Sequence, residues 1–149
     1  MKTTFKIIAG NLYEYDSNGK LIHFKDSNGF ENWREYDSHG KVIHYKNSNG
    51  DETWYEYDSK GNSIHYKTSN GFENWREYDS DGNEIHYKDS DGFESWSKYD
   101  SKGNLNHFKK SNGFESWYDS KGNSITKKQF DKLNQVVTIA GRKYRLTLI

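Results

Sequence analysis

The feature that most constrains this chain is a 21-residue period. Tyr-Asp-Ser-x-Gly recurs from Tyr15, Tyr36, Tyr57, Tyr78, Tyr99 and Tyr118, with four spacings of 21 residues and a final one of 19. Between these motifs sits Ser-(Asn/Asp)-Gly, ending at Gly29, Gly50, Gly71, Gly92 and Gly113. Trp33, Trp54, Trp75, Trp96 and Trp117 keep the same beat, as do His23, His44, His65, His86 and His107. A unit this short cannot bury a face of its own, so successive copies must stack on one another.

The segments between the glycine motifs are strands. Trp33-Arg34-Glu35-Tyr36 and Lys41-Val42-Ile43-His44-Tyr45-Lys46 are rich in aromatic and β-branched residues, alternate in polarity and are too short for helices. Each unit therefore reads as two short antiparallel strands and two tight turns. Asp37-Ser38-His39-Gly40 fits a type I turn followed by a left-handed glycine in a bulge. In Ser48-Asn49-Gly50 the residue before glycine is always Asn or Asp, which fits a two-residue type I′ turn.

An odd period keeps a side chain on one face only if one turn per unit adds an unpaired residue. With one bulged turn, Asp37 pairs with Lys41 and Trp33 faces Tyr45. With the two-residue turn, Ser48 pairs with Asp51 and Tyr45 faces Trp54. This pairing predicts an unbroken Trp-Tyr stripe flanked by Ile22, Ile43, Ile64 and Ile85 and by Glu35, Glu56 and Glu77. The opposite face then carries Phe30, Phe72, Phe93, the Tyr of each Tyr-Asp, the His ladder, Arg34 and Arg76.

Composition selects among β architectures. Only 31% of the chain is hydrophobic, yet 17% is aromatic, and 22 basic residues balance 22 acidic ones. Disorder comes with few aromatics and a large net charge, so this chain is ordered but has no thick aliphatic core. The expected fold class is all-β: tandem β-hairpin repeats in a long, twisted, largely single-layer antiparallel meander. A sandwich or barrel needs a consistently apolar inner face, which is missing here. Residues 1–11 read as an N-terminal capping strand, 12–125 as the repeats and 126–149 as a C-terminal cap. In that cap, Thr126-Lys127-Lys128-Gln129 forms a capping box for a short helix with Phe130 and Leu133 on one side. Val136 to Ile139 and Tyr144 to Ile149 read as a final hairpin around Ala140-Gly141.

The unit Tyr36-Asp37-x-x-Gly40 … Asn49-Gly50 … Tyr55-x-Tyr57-Asp58 resembles the YD repeat of the Rhs and teneurin families. It is also similar to bacterial MORN-variant repeats, which carry Gly, Trp and Tyr at comparable spacing. A looser similarity links it to choline- and glucan-binding repeats. The resemblance spans residues 12–125 and implies a β-shell or extended scaffold that acts by interaction.

Candidate sites follow from the repeat. The His ladder invites a metal-site or pH-switch reading. Equivalent strands lie about 9–10 Å apart, too far for neighbouring ladder His to share one ion, so the ladder is expected to pack like aromatic residues beside Tyr and Arg. Repeated carboxylates such as Glu31 and Glu35 fit turn and solvation chemistry, whereas catalysis needs a unique constellation. No enzyme, cofactor or metal is expected. Zero net charge argues against nucleic acid, whose affinity comes from clustered cations. The chain has no Cys and no stretch long enough to span a membrane, so the cytoplasm is the default location.

The expected function is non-enzymatic binding of a protein partner, of the kind a bacterial or phage inhibitor or immunity-type protein performs. Trp33, Trp54, Trp75, Trp96, Tyr45, Tyr66, Tyr87, Tyr55, Arg34 and Arg76 are the expected contacts, because Trp, Tyr and Arg dominate interface hot spots. Carbohydrate binding through the Trp/Tyr ladder and self-assembly through sheet edges are the alternatives. Contacts are expected to concentrate where copies deviate: Asp51 breaks the Phe lane of Phe30, Phe72, Phe93 and Phe114, Tyr55 replaces Arg, and Ser97-Lys98 replaces Arg-Glu.

Overall fold

A computed structural model describes residues 3–139 and 142–145. The chain is all-β, with thirteen strands that follow one another in chain order as an open antiparallel meander without crossovers. They are β1 (Thr4–Ile8), β2 (Asn11–Tyr15), β3 (Leu21–Lys25), β4 (Glu31–Tyr36), β5 (Val42–Asn47), β6 (Glu52–Tyr57), β7 (Ser63–Thr68), β8 (Glu73–Tyr78), β9 (Glu84–Asp89), β10 (Glu94–Tyr99), β11 (Leu105–Lys110), β12 (Glu115–Tyr118) and β13 (Ser124–Ile125). A short helix α1 (Lys127–Leu133) and a hairpin of β14 (Val136–Ile139) and β15 (Arg142–Arg145) follow. The chain divides into two compact units, Met1–Arg76 with Asp89–Asp91, and Glu77–Lys88 with Gly92–Ile149.

Within both units the turns set everything else. Asp37 Oδ1 accepts the N–H groups of His39 and Lys41, at 2.9 Å each. The Gly40 N–H closes the turn on the Asp37 carbonyl, and Gly40 takes φ +84°. This is the expected type I turn with a left-handed glycine. The second turn was expected to differ and does not. Asn47 Oδ1 accepts from Asn49 and Asp51, the Gly50 N–H bonds the Asn47 carbonyl, and Gly50 takes φ +90°. A type I′ turn needs positive φ at both central residues. Among the described residues Ala9 alone adopts it without being a glycine, so the Asn-Gly turns are not type I′. That geometry occurs instead at Ala9-Gly10, between β1 and β2, where Ile8 pairs with Asn11.

The second departure lies inside the strands. Tyr36 pairs with Val42, in the register expected from the first turn, but a bulge between Glu35 and Tyr36 then shifts the ladder. Beyond it Glu35 pairs with His44, Arg34 with Tyr45 and Trp33 with Lys46. The same shift recurs at Glu14/Tyr15, Glu56/Tyr57 and Lys98/Tyr99. Across the next turn His44 pairs with Trp54 and Tyr45 with Thr53. The expected Trp-Tyr stripe is therefore not formed, because Trp33 and Tyr45 lie on opposite faces. Each repeat has three unpaired residues instead of one: a glycine in each turn and the strand bulge. Three is still odd, so every copy keeps its facing. Crossing from Trp33 through Lys46 leads to Glu52, two residues short of Trp54, so equivalent residues step along the strands while staying on one face.

Hydrogen bonds between successive repeats fix this stack at both edges. The Tyr36 hydroxyl donates to the Leu21 carbonyl at 2.8 Å, Tyr57 to Val42 at 2.9 Å and Tyr99 to Glu84 at 3.0 Å. At the other edge the Ser48 N–H donates to the Glu31 carbonyl while Ser48 Oγ accepts the Glu31 N–H, and Ser69 and Ser111 repeat the exchange with Glu52 and Glu94. No hydrophobic side chain among the described residues is buried, as a one-layer sheet requires. Among the described residues the buried ones are polar: Asn32, Asn47, Asn74 and Ser95.

At the C-terminal end the expected helix and hairpin form, with the second strand of the hairpin starting at Arg142 rather than Tyr144. Thr126 and Gln129 form the capping box of α1, and Phe130 reaches the His107 ring at 6.3 Å. The final hairpin pairs Val136 with Arg145 and Ile139 with Arg142. Its expected turn at Ala140-Gly141 and residues 146–149 lie outside the described residues. The shortened last copy keeps its facing, with Trp117 opposite His107.

Two substitutions test the turn and edge assignments by urea unfolding. Ala9 has left-handed backbone (φ +50°), which costs an L-residue roughly 1–2 kcal/mol that Asn or Gly largely escapes. Ala9→Asn therefore raises the unfolding midpoint. Tyr57→Phe deletes one edge hydrogen bond and lowers stability by about 1 kcal/mol.

Candidate functional site

The bulge places His and Trp on one face, where they pair directly. His23 stacks on Trp33 with centroids 5.0 Å apart and planes 4° apart. His44–Trp54, His65–Trp75, His86–Trp96 and His107–Trp117 repeat the stack at 5.1 to 5.5 Å. The His ladder thus packs on Trp, not beside Tyr and Arg as expected. Carboxylates bracket the imidazoles of His23, His44, His65 and His86, whereas His107 meets Glu115 alone: Glu35 Oε1 lies 3.1 Å from His44 Nδ1 and Glu52 Oε2 lies 3.6 Å from its Nε2. Lys46 Nζ in turn sits 2.6 Å from Glu52 Oε1. The hydrogen bond from Lys46 holds the Glu52 carboxyl below its ordinary range, as Lys67 does for Glu73 and Lys25 for Glu31.

His86 is the tightest of these brackets. Glu77 Oε1 lies 3.3 Å from Nδ1 and Glu94 Oε1 lies 2.8 Å from Nε2. A neutral imidazole has one N–H, so only the imidazolium can donate to both carboxylates. Burial pulls the His86 pKa down, but hydrogen bonds to Glu94 and Glu77 outweigh it and lift the group above its ordinary value. Among the described residues no group of three or more His, Cys, Asp or Glu is placed to hold a metal ion.

The opposite face belongs to tyrosine and arginine. Arg34 lies over the Tyr45 ring at 5.7 Å, and Lys41 lies over the Tyr57 ring at 4.9 Å. Tyr55 tilts against Tyr66 at 5.2 Å and stacks near Tyr57 at 6.3 Å. Together Arg34, Lys41, Val42, Tyr45, Thr53, Tyr55 and Tyr57 line a shallow open depression of about 730 Å³. Burial, then the neighbouring Tyr55 and Asp37, push the Tyr57 hydroxyl pKa up. Arg34 Nη1 is buried without a hydrogen-bond partner.

The expected contact residues therefore separate into two sets. Trp33, Trp54, Trp75 and Trp96 share the His face, with Trp33 39% and Trp75 41% exposed. Tyr45, Tyr55 and Tyr66 share the other face with Arg34. Strand alternation places Tyr87 and Arg76 there too. Lys41, Val42, Thr53 and Tyr57 were missed as members of the depression. The available signal was Thr53 itself, which stands where the neighbouring copies have Asn32 and Asn74.

Comparison with known proteins rests on fold alone. No protein-family model and no curated protein matches the chain. Solved structures do match, as β-repeat architecture. A crystal structure of TcdB2-TccC3-TEV superposes with a TM-score of 0.61 at 20% identity, covering 77% of this chain and 7% of that one. The Tc holotoxin pore of Photorhabdus luminescens gives 0.59 at 18% identity, covering 83% of this chain and 8% of that chain. TcdB2-TccC3 without its hypervariable C-terminal region gives 0.59 at 14%, over 83% and 9% of the two chains. The chain thus spans less than a tenth of the length of these neighbours. The fold agrees with a YD-like β-repeat.

The His86 bracket has a pH signature. A raised folded-state pKa contributes stability that is complete below the unfolded value of about 6.5 and is lost as pH rises through the folded value. Glu31, Glu52 and Glu73, with lowered values, contribute stability above their ordinary range that is lost as pH falls. Unfolding midpoints followed from about pH 5.5 to 8 therefore decline on the alkaline side, and His86→Gln flattens that decline. An unchanged slope in the variant contradicts the bracket.

Proposed function

We propose that this chain is a non-enzymatic repeat module that binds a protein partner through its Tyr/Arg face. The observation that carries the reading is the depression at Arg34, Lys41, Tyr45, Tyr55 and Tyr57. It is the hot-spot residue set, gathered on a rigid sheet and left open. Repeat arrays supply extended binding surfaces without a large core. The matched TcdB2-TccC3 structures, each named for more than one component, support a protein partner over a small-molecule substrate. Sugar stacking on the Trp ladder is less favoured, because a His ring already stacks on each indole.

A photo-crosslinking residue placed at Tyr55 and, separately, at Trp75 tests the reading in extracts of the native host. The expected result is one discrete protein adduct from position 55 and none from position 75. Equal labelling at both positions, or none at 55, overturns it.

A further inference from the structure

The depression is not a property of the repeat. It is made by one copy, and three departures from the repeat meet there. The lane that carries Phe30, Phe72, Phe93 and Phe114 has Asp51 in this copy. Elsewhere that Phe packs on the ring at the Tyr45 position: Phe72 lies 6.3 Å from Tyr66, Phe93 5.8 Å from Tyr87 and Phe114 6.5 Å from Phe108. Replacing it by Asp51 leaves Tyr45 uncovered on that side. Asp51 turns back into its own turn, accepting the Asn47 Nδ2–H at 2.9 Å. Thr53 replaces the buried Asn of β4 and β8 with a shorter side chain. Tyr55 replaces the Arg of those same strands and supplies an aromatic wall.

The charge of the lining is as specific as its shape. In a chain with equal numbers of acidic and basic residues, the depression holds two cations, Arg34 and Lys41, and no carboxylate. The nearby acids are engaged elsewhere: Asp51 as above, and Asp37 by the N–H groups of its own turn. Glu35 and Glu56 lie on the opposite face, against His44 and His65. Arg34 rests on a tyrosine ring and lines the open depression. A carboxylate seated there meets the guanidinium directly, in the charge-assisted geometry that a guanidinium favours.

We infer that this depression receives an acidic peptide segment of the partner, with a Glu or Asp carboxylate between Arg34 and Lys41 and a neighbouring aromatic side chain against Tyr45 and Tyr55. The inference rests on the proposed protein-binding role and adds the partner's chemistry to it. Tyrosine rings give the adjoining side chain an apolar contact at low entropic cost, while the two cations select the charge.

The test is an NMR titration of the full chain with the blocked tripeptide Glu-Phe-Glu and its Gln-Phe-Gln counterpart, following the Arg34 side-chain N–H signals. The acidic peptide is expected to shift Arg34 and Tyr55 resonances, and the amide peptide to leave them unchanged. Arg34→Gln weakens binding at least tenfold, and Arg34→Lys gives an intermediate loss. Lys67→Gln, which removes a cation from the opposite face, leaves it unchanged. The triple reversion Asp51→Phe, Thr53→Asn, Tyr55→Arg restores a regular copy, so it keeps the fold and loses the site. Equal shifts by both peptides, an undiminished response in Arg34→Gln, or equal competition by inorganic phosphate overturns the inference. If the position-55 adduct forms while the acidic peptide fails to bind, this inference falls alone. If the peptide binds and no adduct forms, the protein-partner reading falls and the anion site stands.

Discussion

Everything in this protein depends on a turn in which one side-chain oxygen accepts two backbone N–H groups. Asp16, Asp37, Asp58, Asp79, Asp100 and Asp119 each place Oδ1 against the amides two and four residues ahead. Asp26 and Asn47 do the same in the second turn. Where Thr68 or Lys110 fills that position, Asn70 or Asn112 accepts the amide of Phe72 or Phe114 instead. With no buried hydrophobic side chain among the described residues to choose a register, the turns choose it. They fix which residues face each other, and hence which face each side chain occupies.

That dependence explains what the sequence made legible and what it hid. The period, the strands, both glycine positions and the capping box at Thr126 are local signals, and they carried through. The facing of Tyr45 did not, for two physical reasons. Asn-Gly is compatible both with a two-residue turn and with a three-residue turn in which only glycine is left-handed, and Asn49 takes the second course. The bulge at Glu35/Tyr36 has no residue signature, since Glu-Tyr is an ordinary strand pair. Together the two changes move Tyr45 across the sheet, and bring His44 against Trp54. The constant ten-residue step from each His to the next Trp marked that pairing, but parity inferred from the wrong turn concealed it.

The two faces then have different physical jobs. On one, Trp, His, Glu and Lys repeat so regularly that their contacts are the same in copy after copy, which is how a sheet without a core holds itself together. On the other, regularity is interrupted at Asp51, Thr53 and Tyr55. Of the deviations visible in the sequence, Asp51 and Tyr55 converge on one place, while Ser97-Lys98 lie on β10 and are not among its lining residues. A repeat makes the scaffold, and departures from the repeat make the site.

Through-space NMR contacts between aromatic rings decide the register most directly. Strong contacts are expected between the His44 imidazole and the Trp54 indole, and none between the Trp33 and Tyr45 rings. Strong Trp33–Tyr45 contacts with no His44–Trp54 contact would return Tyr45 to the tryptophan face and contradict the register on which the site is built.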